Sequence, residues 1–177
     1  DPEKGGRLAA QELIRRGCRC VLNVGGNMDV KTPSIRRYRA CEVMLQEAGV
    51  DCINACLEQE FNRQTYQVEI ERLLRQYPQA DGLFSTDLIA LNAMKLLNTH
   101  GVNVPDAFSI VGYDGVEISS LCTPALTHVR QPLQQLADVC VQTLVRKMQG
   151  ESLTKNVILE DVELVRGGTT RPMADPV

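Results

Sequence analysis

Residues 80–115, ADGLFSTDLIALNAMKLLNTHGVNVPDAFSIVGYDG, decide the fold. Gly82 to Ser85 is a brief strand, and Asp87 to Thr99 sets Ala90, Ala93, Met94 and Leu97 on one helical face. Gly101 and Pro105 punctuate, Phe108 to Val111 is again strand-like, and the turn GYDG follows. Two strands joined by a helix long enough to cross a sheet form a βαβ unit. Its strands run parallel and are covered on both faces.

The same alternation extends in both directions. Upstream, a helix from Glu3 to Arg16 stops at Gly17, and Arg19 to Val24 is an apolar strand. A polar loop with Pro33 and Ser34 opens a helix to Ala48, closed by Gly49, before a strand from Val50 to Cys56. Tyr66, Ile70, Leu73, Leu74 and Tyr77 then keep helical spacing until Pro78. Downstream, an irregular stretch reaches Thr127, a strand runs to Arg130, and a helix spans Leu133 to Met148. Closing strands are expected around Val157–Leu159 and Val162–Val165, with a frayed tail from Arg171 onward. The expectation is an α/β fold built on a doubly wound parallel sheet, with ligands held beyond the carboxyl ends of the strands.

Composition narrows the function. With 44% hydrophobic and 23% charged residues, the chain has the balance of a soluble globular protein, and no apolar run is long enough for a membrane helix. A net charge of −3 argues against an extended nucleic-acid surface. Seven cysteines, an odd number, make a poor disulfide framework and suit a reducing compartment, which points to the cytoplasm. His100 and His128 are the only histidines and lie away from any close cysteine pair, so neither a metal nor a cofactor is expected. A nucleophile elbow, a Walker loop and a dinucleotide fingerprint are all missing, so no catalytic residue is assigned.

The carboxyl ends of the strands carry the polar candidates. Lys31, Arg36, Arg37 and Arg39 cluster where a helix begins, against its dipole, so a polar or anionic guest explains them better as a group than does a solvated basic face. Asp114 in GYDG either accepts from ligand hydroxyls or caps its own turn. Asp87 reads as a helix N-cap, Thr86 can offer its hydroxyl to the cleft, and Phe61 is an aromatic either for stacking or for anchoring a loop.

Three stretches together resemble the lactose-repressor (LacI/GalR) family of transcriptional regulators. They are DPEKGGRLAAQELIRRG at residues 1–17, the block at residues 80–115, and TPALTHVRQPLQQLA at residues 123–137. The resemblance implies a type-1 periplasmic-binding-protein fold, two α/β lobes joined by three crossovers with an effector between them. Residues 1–130 would form the second lobe, 131–150 a crossover helix of the first lobe, and 151–172 the closing strands of the second, leaving 173–177 as tail. The opening residues would then be the interior of a longer chain, with a DNA-binding helix-turn-helix upstream.

By the same likeness Arg37, Asp114, Thr86, Gln131 and Phe61 would contact the effector, which would be a sugar, a sugar phosphate or a purine. Leu91, Met94, Lys95, Leu121 and Cys122 would pair two copies into a homodimer, although Leu91 and Met94 can equally pack inside the lobe. The implied function is the effector-sensing part of a ligand-responsive repressor, without enzymatic activity. A periplasmic sugar-binding protein of a transporter is the alternative.

Overall fold

Ala90, Ala93 and Leu97 fall at helical spacing, and in the computed structural model they turn inward on α4 (Asp87–Thr99), which packs on strands β3 (Gly82–Phe84) and β4 (Ser109–Asp114). The structure describes residues 1–25, 33–57, 63–152 and 162–172. Before this unit come α1 (Pro2–Arg15), β1 (Cys20–Gly25), α2 (Pro33–Glu47), β2 (Asp51–Cys56) and α3 (Arg63–Gln76). After it come α5 (Ile118–Leu121), β5 (Thr127–Arg130), α6 (Leu133–Met148) and β6 (Glu163–Val165).

The sheet order is β2-β1-β3-β4-β5-β6. From β1 the chain steps first to β2 on one side and then to β3 on the other. The order therefore reverses between β1 and β3, where α/β sheets open a binding crevice. Strands β1 to β5 are parallel, as expected, but β6 runs antiparallel to β5, so the sheet is mixed at that edge. The strand expected near Val157–Leu159 lies outside the described residues.

Strand periodicity divides the core. Leu22, Val24, Leu83 and Ile110 face α3 and α4, whereas Val21, Phe84, Val111 and Tyr113 face α1 and α2. Gly17 and Gly49 end α1 and α2 at φ +72° each, a left-handed stop that a side chain resists.

Three expectations need correcting. Strand β4 continues through Gly112 and Tyr113 to Asp114, because those turn-like residues pair with β5. The supposedly irregular stretch contains α5. Arg171 is anchored rather than frayed: its guanidinium donates to the carbonyl and carboxylate of Asp81, both at 3.1 Å, and its amide donates to Ser109 Oγ.

Helix α6 has no buried residue. Leu133, Leu136, Val141, Leu144, Val145 and Met148 all stand exposed on it. No helix among the described residues is long and apolar enough to cross a membrane.

Candidate functional site: the Arg37–Asp114 crevice

The first turns of α2 send two adjacent arginines in different directions. Arg36 turns outward and pairs with Glu3 of α1, its Nη2 2.8 Å from the carboxylate. Arg37 turns inward, with a side chain only 14% exposed and Nη1 3.4 Å from Asp114 Oδ1. Its guanidinium carbon lies 4.0 Å from the centre of the Tyr113 ring, a cation–π stack. Arg37 Nε is buried without a hydrogen-bond partner. This cation is therefore positioned by its neighbours while its donors remain underused.

Glycines on α1 make that geometry possible. A Cβ on Gly6 would sit 2.0 Å from the Arg37 carbonyl oxygen, and one on Gly5 would sit 2.5 Å from the Tyr113 ring. Gly6→Ala is accordingly expected to push α1 off α2, at a cost of about 1–3 kcal/mol, and to shift the Arg37 backbone. Urea unfolding reads the first effect and ligand titration the second; a variant with unchanged stability would contradict the close approach.

Asp114 closes β4 at φ 127°, a conformation that side-chain-bearing residues rarely adopt. Its Oδ1 accepts from Gln131 Nε2 at 2.8 Å, and its carbonyl accepts from the Gln131 amide at 3.1 Å. Burial raises its pKa above the ordinary 3.8, Arg37 opposes that shift, Asp87 adds to it, and hydrogen bonds from Gln131 and Arg37 oppose it. The carboxylate spends itself on Gln131 and Arg37 rather than on its own turn. Its side chain remains 31% exposed at the crevice.

Asp87 departs from its expected role. Thr86 is the N-cap residue of α4, although its side chain makes no capping bond. Asp87 instead reaches across to the turn after β4, where Oδ2 accepts from the amides of Gly115 (2.8 Å) and Val116 (2.9 Å) and from Ser119 Oγ (2.8 Å). Its Oδ1 is buried without a partner. Sequence reasoning missed this cross-link because the partners lie far along the chain. It also passed over Tyr113 as the platform for Arg37, although the strand alternation set by Val111 places Tyr113 on the α2 side.

Thr86, two residues beyond the end of β3, is partly exposed. Phe61 and Lys31 lie outside the described residues. An open groove of about 680 Å³ is lined by Lys4, Gly115, Arg130, Gln131, Glu163 and the start of α6; it adjoins Asp114 through Gly115 and Gln131, although neither Arg37 nor Asp114 lines it. Of the residues expected to pair two copies, Lys95 and Leu121 are exposed, and Leu91 and Cys122 are partly so. Met94, only 7% exposed, belongs to the core. No cluster of His, Cys, Asp and Glu suited to a metal occurs among the described residues. None of the seven cysteines forms a disulfide.

Comparison with known proteins supplies the wider frame. The family model described as "periplasmic binding protein-like domain" matches residues 10–170. The ribose operon repressor of Halalkalibacterium halodurans is 32% identical over 150 residues, covering 84% of this chain and 44% of the repressor. A transcriptional regulator CelR–cellobiose complex superposes with a TM-score of 0.83 at 25% identity, over 96% of this chain and 52% of that one. A dimeric Lac repressor superposes with a TM-score of 0.82 at 25% identity, over 97% of this chain and 62% of that one. The chain thus spans about half the length of the curated relatives it matches, 44% to 52% for the ribose operon, sucrose operon and PurR repressors. With that match across the sheet and its helices, the chain belongs to the periplasmic binding protein-like domain family, in the form found in LacI/GalR regulators.

Proposed function

We propose that this chain is the second effector-binding lobe of a cytoplasmic, ligand-responsive transcriptional repressor, and that it binds a small hydroxylated molecule without transforming it. The observation that carries this reading is the Arg37–Asp114–Gln131 constellation beyond the carboxyl ends of the strands, next to the reversal in sheet order. A guanidinium with unspent donors beside a carboxylate with spare acceptor capacity complements a polyol, which donates and accepts at each hydroxyl. Sugar, sugar phosphate and purine remain the effector classes. Relatives named for ribose and sucrose, and a structural relative bound to cellobiose, support the sugar class among these.

The rest of the site would come from a first lobe encoded upstream. In this reading α6 belongs to that lobe, which accounts for its exposed apolar side chains. Two copies would pair through Leu121, Lys95 and the exposed neighbours Leu88 and Ile118; a Lac repressor of the same fold is itself dimeric. Operator DNA would be met by an upstream helix-turn-helix. Effector held between lobes would favour one arrangement of the two by its unequal affinity for them, typically about 1–3 kcal/mol.

A thermal-shift screen of sugars, sugar phosphates and purines on the full-length protein tests the reading. At a free concentration of about 100 times Kd, a true effector stabilises by about 2.7 kcal/mol. Asp114→Ala is expected to lose that response. A variant that keeps it would remove Asp114 from the site, and a screen without any hit would remove the effector reading.

A further inference from the structure

Asn23 is a fully buried amide inside β1, on the strand face that Val21 turns toward α1 and α2. Its Nδ2 donates to the Tyr38 carbonyl at 2.9 Å and to Asn54 Oδ1 at 2.7 Å. Asn54, its register partner on β2, continues the relay, with Nδ2 donating to Glu42 Oε1 at 2.6 Å. Tyr38 and Glu42 lie four residues apart on α2, about one helical turn. The sheet thus grips α2 at two successive turns. Because the Tyr38 oxygen can only accept, the nitrogen end of the Asn23 amide must face it.

Stability does not account for this relay. Tyr38 lies inside α2, where its carbonyl already serves the amide four residues on. Asn54 is exposed, so water can replace its bond to Asn23. Asn23 Oδ1, by contrast, is buried without a hydrogen-bond partner, a cost that an apolar side chain in its place would not carry. What the amide supplies is direction: it fixes one placement of α2 on the strands, which apolar contact alone specifies less sharply.

Arg37 takes its position from that placement. It directly precedes Tyr38, and α1 bears on its carbonyl oxygen, which lies 2.0 Å from where a Cβ on Gly6 would stand. The Tyr38 ring is wedged between the last residue of β1, where a Cβ on Gly25 would come within 2.5 Å, and Phe84, 5.6 Å away between centroids. From this backbone the guanidinium falls 5.6 Å from the Tyr38 ring centre and 4.0 Å from that of Tyr113. Its contact with Asp114 is 3.4 Å, longer than a good charge-assisted hydrogen bond. Backbone and rings therefore hold Arg37 more firmly than its counter-ion does.

We infer that Asn23 is a positioning residue for the crevice. It holds α2 through the Tyr38 carbonyl so that Arg37 turns inward, and it touches no ligand itself. The use made of Arg37 rests on the effector reading above; the positioning does not.

The test uses the full-length protein without ligand. Phenylglyoxal modifies guanidinium groups, and mass spectrometry of the adducts reads Arg37, 14% exposed, against its neighbour Arg36, 58% exposed, as internal reference. Asn23→Leu is expected to raise the Arg37-to-Arg36 modification ratio at least about threefold while the urea midpoint holds or rises. Asn54→Ala breaks the relay at an exposed position and stands in if Asn23→Leu does not fold; it is expected to raise the ratio by a smaller factor. Leu97→Ala, in the core on the opposite face of the sheet, measures what general loosening does to the ratio. A ratio unchanged by the relay variants, or raised as much by Leu97→Ala as by them, would overturn the proposal. No effector enters the experiment, so that result leaves the effector reading standing. A ligand screen without any hit likewise leaves the measured placement of Arg37 standing.

Discussion

Asp114→Asn is expected to weaken effector binding by at least about tenfold at neutral pH, the loss of one charged hydrogen bond worth about 1.5–3 kcal/mol. Asparagine keeps the shape and, among side-chain-bearing residues, tolerates positive φ comparatively well, so the strand end at φ 127° should survive. The pH profile gives a sharper signature. Burial raises the Asp114 pKa in the free protein. For such a group the contribution to folding is fully present below the unfolded value and is lost as pH rises through the folded value. The ligand-free protein therefore gains stability from protonation here. Binding runs the other way, because hydroxyl donors need the ionised carboxylate. Affinity should fall as pH drops through the raised pKa, starting at a higher pH than an ordinary aspartate would set. Calorimetric titration across that interval should show the fall in wild type and a flat profile in Asp114→Asn. Equal affinities in the two proteins, or identical profiles, would remove the carboxylate from the binding step.

Local signals made most of the fold legible in advance. Asp87–Thr99, Thr127–Arg130 and Leu133–Met148 are bounded by residues that start or stop elements on their own account, and their limits match the structure. What depends on distant partners was hidden. Gly112 and Tyr113 read as a turn until β5 pairs with them. Arg36 and Arg37 are adjacent and chemically identical, and only the arrival of α1, bringing Glu3 to one and Gly6 to the other, separates their roles. Asp114 was balanced between capping its own turn and facing the crevice, and Gln131, across the β4–β5 pairing, decides where its carboxylate goes. Asp87 looked like a helix cap because a helix start is the commonest place for aspartate. Its bonds to Gly115, Val116 and Ser119 join segments that no local pattern connects.

Glu12 is the other buried carboxylate with large consequences, and its alanine variant is expected to be the most destabilised of those considered. Glu12 lies on the apolar face of α1 among Ala9, Ala10 and Leu13 and is 1% exposed. Its Oε1 accepts from Arg16 at 2.6 Å and from Thr170 Oγ1 at 3.4 Å, and Oε2 accepts from Arg166 at 3.1 Å. The side chain thus ties α1 to the segment after β6, remote in sequence. The Arg166 contact contributes little, since that side chain is 52% exposed and solvent screens it. The Arg16 contact matters more, because its guanidinium is only 11% exposed and would be left as an uncompensated charge. Breaking a buried pair in that way costs about 3–5 kcal/mol. Glu12→Gln retains an acceptor and should lose only about 1–2 kcal/mol. Replacing both partners, as Glu12→Leu with Arg16→Met, should recover part of the loss, because no lone charge then remains. Urea unfolding of these variants measures each difference. A loss below about 1 kcal/mol for Glu12→Ala, the scale of a surface pair, would show that water reaches Arg16 and that the carboxylate is not what ties the C-terminal segment to α1.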